Sequence, residues 1–361
     1  MEKAYPVIIV GGGPAGSACA KALTDEGVDV LVLEKRRLPR HKCCSGVLYG
    51  QTQELLKRYF GALPPERVYC EPKIIKASHI IGWTEEDGSF EYVWEIPMGE
   101  RSFTTDYLNI WRNKFDYWLL KQSGAEVMDK CSFKSFLTTG QHIEVEANGG
   151  VKRINLRSSY LVGADGGGSA VRESFDPSFG KRLNEIAISQ SYYRFSGLGS
   201  FKDGHWYVFV GLLGDGIAAV HQKDDTLTLC VGALKQKGGL KNLMTSFKDF
   251  LSKRLKIEFL EKKRGEGCVL NDMFMRGDFC LGGERVLFVG EAAGFLYLNG
   301  EGISSAIDSG YRAGKAIARE LKGEGAAVEI YQQESEEIRQ HVSLCASKQN
   351  LLQVGPPTAL E

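Results

Sequence analysis

Several things are scarce in this 361-residue chain, and each scarcity excludes something. No apolar run approaches the roughly 18 to 20 residues that would cross a bilayer. Neither sign of charge is in excess: 45 Lys and Arg balance 45 Asp and Glu, so nothing electrostatic points to nucleic acid as a partner. The nine cysteines are odd in number and contain no C-x-x-C pair. That excludes a disulfide scaffold and a zinc or iron–sulfur ligand set, so no metal is expected; it fits a reducing compartment, which makes the cytoplasm the expected location. The first residues run straight into a strand-like stretch, leaving no room for a signal peptide. What remains is an ordinary globular composition, 43% hydrophobic and 25% charged, in a chain long enough for two interlocked domains.

Against this plain background the segment from Val7 to Glu34 stands out. Val7 to Val10 reads as a buried parallel strand. Gly11-Gly12-Gly13-Pro14-Ala15-Gly16 follows, then a helical stretch to about Gly27, then a strand from Val28 to Leu33 that stops at Glu34. Strand, glycine turn, helix, strand and acid at this spacing predict a dinucleotide fold. Gly11 permits the tight turn, Gly13 lets backbone approach a pyrophosphate, and Gly16 lets the helix pack on the strand. The helix start offers free N–H groups to phosphates, and Glu34 is placed to accept from both ribose hydroxyls. The turn alone leaves NAD and FAD equally open.

Downstream, Lys35, Arg36, Arg37 and Arg40 form a basic loop around Pro39 that reads as solvated, and Lys42-Cys43-Cys44-Ser45-Gly46 follows at the edge where ligands sit in open α/β sheets. Tyr49 to Tyr59 predicts a helix, and 67–97 shifts to short strands with Gly and Asp-Gly turns. Thr105 to Gln122 predicts a helix with Leu108, Trp111, Phe115 and Leu119 on one face and Arg112 at its margin. Gln141–Ala147 and Val151–Leu156 predict a hairpin around Asn148-Gly149-Gly150, and Ser159 to Val162 a further buried strand. Strand signals return from Ile186 to Ala233. Helices are expected over Leu240–Leu255, Ile303–Leu321 and Ala326–Ala346. Gly355 onward reads as a mobile end, and Leu360-Glu361 as a cloning remainder.

Three glycine-rich stretches, 11–16, 163–172 and 290–302, each end a buried strand, so all three converge on one elongated ligand. Gly163-Ala164-Asp165-Gly166-x-x-Ser169-x-Val171-Arg172 resembles the second fingerprint of the flavin hydroxylase superfamily. Gly290-Glu291-Ala292-Ala293-Gly294 resembles its third, with Glu291 where the family has Asp. Arg112-x-x-Phe115-Asp116 resembles the R-x-x-F-D segment between them. Lys42 to Gly46 and Gly300-Glu301-Gly302-Ile303 are similar to the K-x-C-G-G and G-x-G-I segments of the geranylgeranyl reductase branch. The family's aromatic Y-x-W-x-F-P strand has no clear match: Tyr92 to Pro97 comes too early, and His205 to Phe209 lacks the proline.

The resemblance implies FAD. It implies a Rossmann-like FAD-binding domain of α/β class in three pieces, 1–66, 104–176 and 284–325. A mainly-β substrate domain, 67–103 and 177–283, is interleaved with it, and 326–361 forms a C-terminal helix and tail. Cofactor contacts are implied for Gly11, Gly13, Pro14, Ala15, Gly16, Glu34, Lys35, Cys44, Ser45, Gly46, Arg112, Asp165, Gly166, Gly290, Glu291, Gly300, Gly302 and Ile303. Asp165 belongs near the pyrophosphate, Glu291 at a ribityl hydroxyl, and 300–303 at the pyrimidine end of the flavin. Arg172 is left between a surface arginine and a cofactor ligand. Cys44 is the candidate catalytic group, because its basic neighbours favour a thiolate. His205, Tyr207 and Phe209 are candidate substrate contacts; His221 is weighed beside them.

The expected activity is reduction of a carbon–carbon double bond in an apolar, prenyl- or lipid-like substrate. A flavin monooxygenase or halogenase, and an electron-relay flavoprotein with a protein partner, are the alternatives. No second glycine fingerprint marks a place for NAD(P)H, so the electron donor is NAD(P)H or a reduced carrier protein. A lipid substrate would bring peripheral membrane contact.

Overall fold

In the computed structural model, residues 4–83, 90–94, 107–140, 142–210, 212, 216–297 and 300–352 are described. Glu95 to Pro97 and the end from residue 353 lie outside the described residues.

The first sheet runs in the order Gly282–Gly283, Val286–Phe288, Lys152–Gly163, Ala4–Val10, Val30–Leu33, Glu126–Met128. From Val286–Phe288 onward these strands are parallel. Val7, Ile8 and Ile9 are fully buried, as a strand covered on both faces requires. The register is what positions the site. Val10 is level with both Gly163 and Leu33, and Gly163 with Phe288, so the chain leaves all of these strands at one edge. Gly11 N then donates to Leu33 O, Ala164 N to Val10 O, and Val289 N to Gly163 O, at 2.8, 2.8 and 3.0 Å.

The helix Pro14–Thr24 packs against the helix Ile303–Leu321 through small residues. A Cβ at Gly310 would lie 2.1 Å from Ala15 O, and one at Gly314 2.5 Å from Cys19 O, so the two backbones are in direct contact.

The second sheet runs Glu258–Asn271, Glu185–Gly197, Thr226–Leu234, Ile217–Lys223, His205–Val210, Tyr69–Trp83, Tyr107–Ile110, Val47–Leu48. The helix Leu240–Arg254 covers one face, burying Phe247 and Leu251 against Tyr207, Phe209, Val220, Leu229 and Val231. By alternation Trp206, Val208, His221, Thr228, Cys230, Ile188, Gln190 and Tyr192 take the other face, toward the first sheet's carboxyl edge. The architecture is thus an α/β Rossmann-like domain with an interleaved, mainly-β second sheet.

Three expectations change. Tyr107–Ile110 is a strand paired with Val47–Leu48, and the helix begins only at Arg112, so Leu108 and Trp111 are not on its apolar face. Tertiary pairing overrides a helical period there. Lys152–Gly163 is one strand rather than two, and the last helical stretch is two helices, Ala327–Glu334 and Glu336–Leu352. No helix among the described residues is long and apolar enough to cross a membrane.

Candidate active site

The glycine turn is fixed by contact. A Cβ on Gly11, whose φ is +111°, would sit 2.3 Å from Ala164 O, and one on Gly16 would sit 1.9 Å from Gly11 O. Gly13 caps the first helix without any side-chain hydrogen bond, and Pro14 occupies its first turn. The opening N–H groups of that helix therefore remain available to an anion. Ala15 packs beneath Gly290, where an added Cβ would come within 3.0 Å, so the first and third motifs touch.

A chain of alternating charges starts beside this turn. Glu34 Oε2 accepts from Gly12 N at 3.2 Å and from Arg40 Nε at 2.8 Å, while Oε1 accepts from Arg36 N at 3.0 Å. Arg40 continues through Nη1 to Asp116 Oδ2 at 2.8 Å, and Arg112 Nε meets Asp116 Oδ1 at 2.8 Å. Burial alone would push the Asp116 carboxyl up; Arg112 and Arg40 outweigh it and hold it below the usual range. Burial likewise opposes the Arg112 charge, and Asp116 and the neighbouring Cys44 thiol more than restore it. Two expectations are corrected here. Arg40 is not a solvated loop residue but the link between two buried carboxylates. Glu34 already takes three donors, which leaves room for a ribose hydroxyl chiefly on Oε1. Lys35 beside it is exposed.

The second and third motifs are joined by Arg172. Its Nη1 donates to Ala292 O at 2.6 Å and its Nη2 to Gly167 O at 2.5 Å, in a buried setting. It is therefore a buried staple between the two motifs, not a surface arginine. Asp165 Oδ2 accepts from Ala170 N at 2.8 Å and Val171 N at 3.3 Å. The Glu291 carboxylate fills space that only glycine leaves at position 167, where a Cβ would lie 2.5 Å from Oε1. That vacancy explains how glutamate is accommodated where the resemblance expects aspartate. Burial pushes both carboxyls, Asp165 and Glu291, up. Gly166 and Gly290 both hold positive φ, and Gly290 N donates to Ser309 Oγ at 2.9 Å.

Three buried polar atoms along these motifs have no hydrogen-bond partner: Ser17 Oγ, Asp165 Oδ1 and Glu291 Oε1. Buried polar atoms are normally paired. One lies beside each of the first, second and third motifs, which fits a polar cofactor that meets all three.

The 300–303 turn departs from expectation. Gly300 has a φ of +74°, and Gly302 precedes the helix, but Glu301 Oε1 accepts from both Ile303 N and Ser304 N at 2.9 Å. The helix amides assigned to the flavin's pyrimidine end are held by this chain's own buried carboxylate. Burial pushes the Glu301 carboxyl up.

The cysteine loop is gripped from the second sheet. Gln190 Oε1 accepts from Cys44 N at 2.8 Å and Gln190 Nε2 donates to Cys44 O at 3.2 Å. Gly46 N donates to Cys44 Sγ at 3.4 Å, and the buried His221 Nε2 bonds Ser45 O at 3.0 Å. Lys223, also buried, donates to Asn109 Oδ1 and Ile110 O, each at 2.7 Å. Of the predicted substrate contacts, Tyr207 and Phe209 point into the helix-covered core instead, and the His205 ring lies tilted against Tyr207 with centroids 5.9 Å apart. Both faces of that strand are apolar, so alternation alone does not say which meets the crevice. Trp206 and Val208 do, with Val47, Tyr49 and Ile75; the Tyr49 ring lies 4.8 Å from Tyr107 and 6.2 Å from Trp206.

Gln190 and Lys223 carry no signal in the sequence, Arg40 reads there as solvated, and Glu301 stands in a motif that gives its carboxylate no role. Asp116 stood in a quoted motif, and its i,i+4 spacing from Arg112 was a visible signal of the pair.

Comparison with known proteins agrees with this geometry. The FAD binding domain family matches residues 4–189. Digeranylgeranylglycerophospholipid reductase 2 of Methanococcoides burtonii is 25% identical over 92% of this chain and 79% of its own length. A geranylgeranyl bacteriochlorophyll reductase-like protein of Thermoplasma acidophilum superposes with a TM-score of 0.75 at 17% identity, over 97% of this chain and 88% of that one. The myxobacterial halogenase CndH superposes at 0.71 with 19% identity, over 98% and 82%. At such identities the two solved structures share the fold. With the family matched across half its length and its motifs converging on one cleft, the chain belongs to the FAD-binding domain family and is an FAD-dependent oxidoreductase.

Proposed function

We propose that the protein reduces a carbon–carbon double bond of an apolar, prenyl- or lipid-like substrate. The observation that carries the reading is Cys44, a partly exposed thiol whose backbone is fixed by Gln190 and whose sulfur lies beside Arg112, with Tyr49 nearby as one edge of the apolar cluster that also holds Tyr107, Trp206 and Val208. The names of the reductase relatives support the substrate class.

The first-helix N-terminus would hold the pyrophosphate of FAD, Glu34 the adenosine ribose, and Asp165 and Glu291 the inner phosphate and ribityl groups. Bound there, FAD supplies a two-electron hydride donor. Cys44 Sγ would hold the proton for the second alkene carbon. The Arg112 guanidinium and the Gly46 amide both meet this sulfur and would hold it in place. The aromatic wall excludes water and orients an extended apolar chain, and a lipid substrate would be met at a membrane surface. Electrons would come from NAD(P)H or a reduced carrier protein.

The test is anaerobic mixing of dithionite-reduced protein with prenylated lipids while flavin absorbance is followed. Reoxidation with a saturated product is expected. A flavin that no alkene reoxidises, paired with substrate-stimulated oxygen uptake, would replace this reading with a monooxygenase or halogenase. Reoxidation by a partner protein alone would point to electron relay.

A further inference from the structure

The crevice face of the second sheet carries two cysteines that the proposed reaction does not use. Cross-strand register sets Cys268 level with Ile188 and Cys230 level with Gln190. Ile188 and Gln190 are two residues apart on one strand, so all four side chains share a face. That face meets the loop bearing Cys43 and Cys44, because Gln190 brackets the Cys44 peptide. Cys268 Sγ lies 3.9 Å from the Cys43 carbonyl oxygen, and the two side chains are neighbours.

We propose that Cys43 and Cys268 are a dithiol–disulfide couple that exchanges with small external disulfides, a second redox site apart from the flavin crevice's own chemistry. The two thiols divide the labour. Cys268 is partly exposed, so an external disulfide can reach it. Cys43 is 7% exposed and is shielded from an external disulfide. An accessible thiol backed by a buried one is the arrangement of an attacking and a resolving cysteine.

In the first step the Cys268 thiolate attacks one sulfur of the external disulfide. That S–S bond breaks, one thiolate leaves with the electron pair, and Cys268 holds a mixed disulfide. Cys43 then loses its proton to solvent and attacks the Cys268 sulfur, releasing the second thiolate. The external disulfide gains two electrons and two protons, and the two cysteines, oxidised by the same amount, become one bridge. The closed bridge ties the Cys44 loop covalently to the strand Glu258–Asn271, beside the hydrogen bonds from Gln190. Neither step depends on what the flavin reduces.

The experiment uses the FAD-loaded full chain, oxidised glutathione as the probe, alkylation of remaining thiols, and peptide mapping with fragmentation that separates residue 43 from residue 44. The wild type should end as a Cys43–Cys268 cross-link that retains no glutathione. C43S should stop with one glutathione on Cys268, and C268S should carry neither modification at either position. Glutathione retained on Cys44 or Cys230, a Cys43–Cys44 bridge, or thiols that all remain free would each overturn the proposal. The wild-type result alone decides this, so it stands even if a substituted chain fails to fold.

Discussion

Gln190 holds the Cys44 peptide at both ends, accepting from its N–H at 2.8 Å and donating to its carbonyl at 3.2 Å. The two residues are 146 positions apart, one on the second sheet and one on a loop at the carboxyl edge of the first. One side chain thus sets where the candidate proton donor stands relative to the cofactor cleft.

Gln190→Ala would leave both groups of that peptide without their partner, a loss of about 1–3 kcal/mol at a part-buried site. Flavin affinity should fall much less than the reoxidation rate, since Gln190 touches none of the three glycine motifs and reaches the cofactor's surroundings only through Cys44. The alkene-dependent reoxidation rate should fall about tenfold or more, because small misplacements of a reacting group are costly. Titration of the apoprotein with FAD, beside anaerobic stopped-flow, separates the two effects; an equal loss in both would sink the assignment.

Arg40 bridges two buried carboxylates, Glu34 and Asp116, and its Nη2 lies 3.6 Å from where a Cβ on Gly13 would be. Arg40→Ala removes one partner of a buried pair, which typically costs about 3–5 kcal/mol. Retained FAD should drop with it, since the guanidinium overhangs the phosphate turn. Arg40→Lys should recover only part of either property, because a single ammonium cannot span both carboxylates in the geometry of a fork. Urea unfolding and flavin content after gel filtration read these outcomes; full rescue by lysine would argue against the bridge.

Glu291 offers an unusual pairing of effects. Its Oε1 is buried without a partner, and burial raises its carboxyl above the usual 4.5. A carboxyl whose folded pKa is raised loses its favourable contribution as pH climbs through that value, so at neutral pH the ionised group burdens the apoprotein. Glu291→Gln should raise the apoprotein's melting temperature while weakening FAD binding about tenfold, by removing a charged acceptor for a ribityl hydroxyl. Differential scanning fluorimetry with and without FAD tests both signs. A variant less stable in the apo form would contradict the unpaired-charge account.

The parts of this site that could be read in the chain are those written locally. Val7 to Glu34 encodes strand, turn, helix and acid in consecutive residues, and three glycine runs after buried strands imply convergence because parallel strands share one edge. Arg40 was misread because a basic loop looks the same whether solvated or folded back onto Glu34 and Asp116. Gln190 and Lys223 gave no signal: their partners lie more than a hundred residues away, and a lone polar residue in a strand is ordinarily a surface one. Tyr207 and Phe209 failed for a different reason. Alternation separates them from Trp206 and Val208, but with both sets apolar only the docking of Leu240–Arg254 decides which set is core. Glu301 sat in plain view within a quoted motif, and nothing in the motif tells that its carboxylate turns back onto its own helix.

His221 gives the last prediction, in pH. Burial, reinforced by the nearby Lys223 charge, holds its imidazole well below the ordinary 6.5, while its bond to the Ser45 carbonyl opposes that only weakly. The folded chain therefore keeps this ring neutral where the unfolded chain begins to take up a proton. As pH falls below 6.5 the unfolded state binds more protons than the folded one, so the contribution from His221, fully present above that value, is lost progressively in acid. One such group limits the slope to about 1.4 kcal/mol per pH unit. Asp165, Glu291 and Glu301, whose carboxyls are raised, act in the opposite sense at lower pH, so the wild-type curve alone mixes the two. His221→Gln keeps a donor for the Ser45 carbonyl and removes only the titration. The difference between wild-type and H221Q unfolding free energies, measured from about pH 7.5 to about pH 5.5, should shift in favour of the variant as the solution is acidified. A difference that stays flat across that range would mean that His221 takes up its proton as readily in the folded chain as in the unfolded one, so that the seam between Ser45 and the second sheet becomes charged in acid.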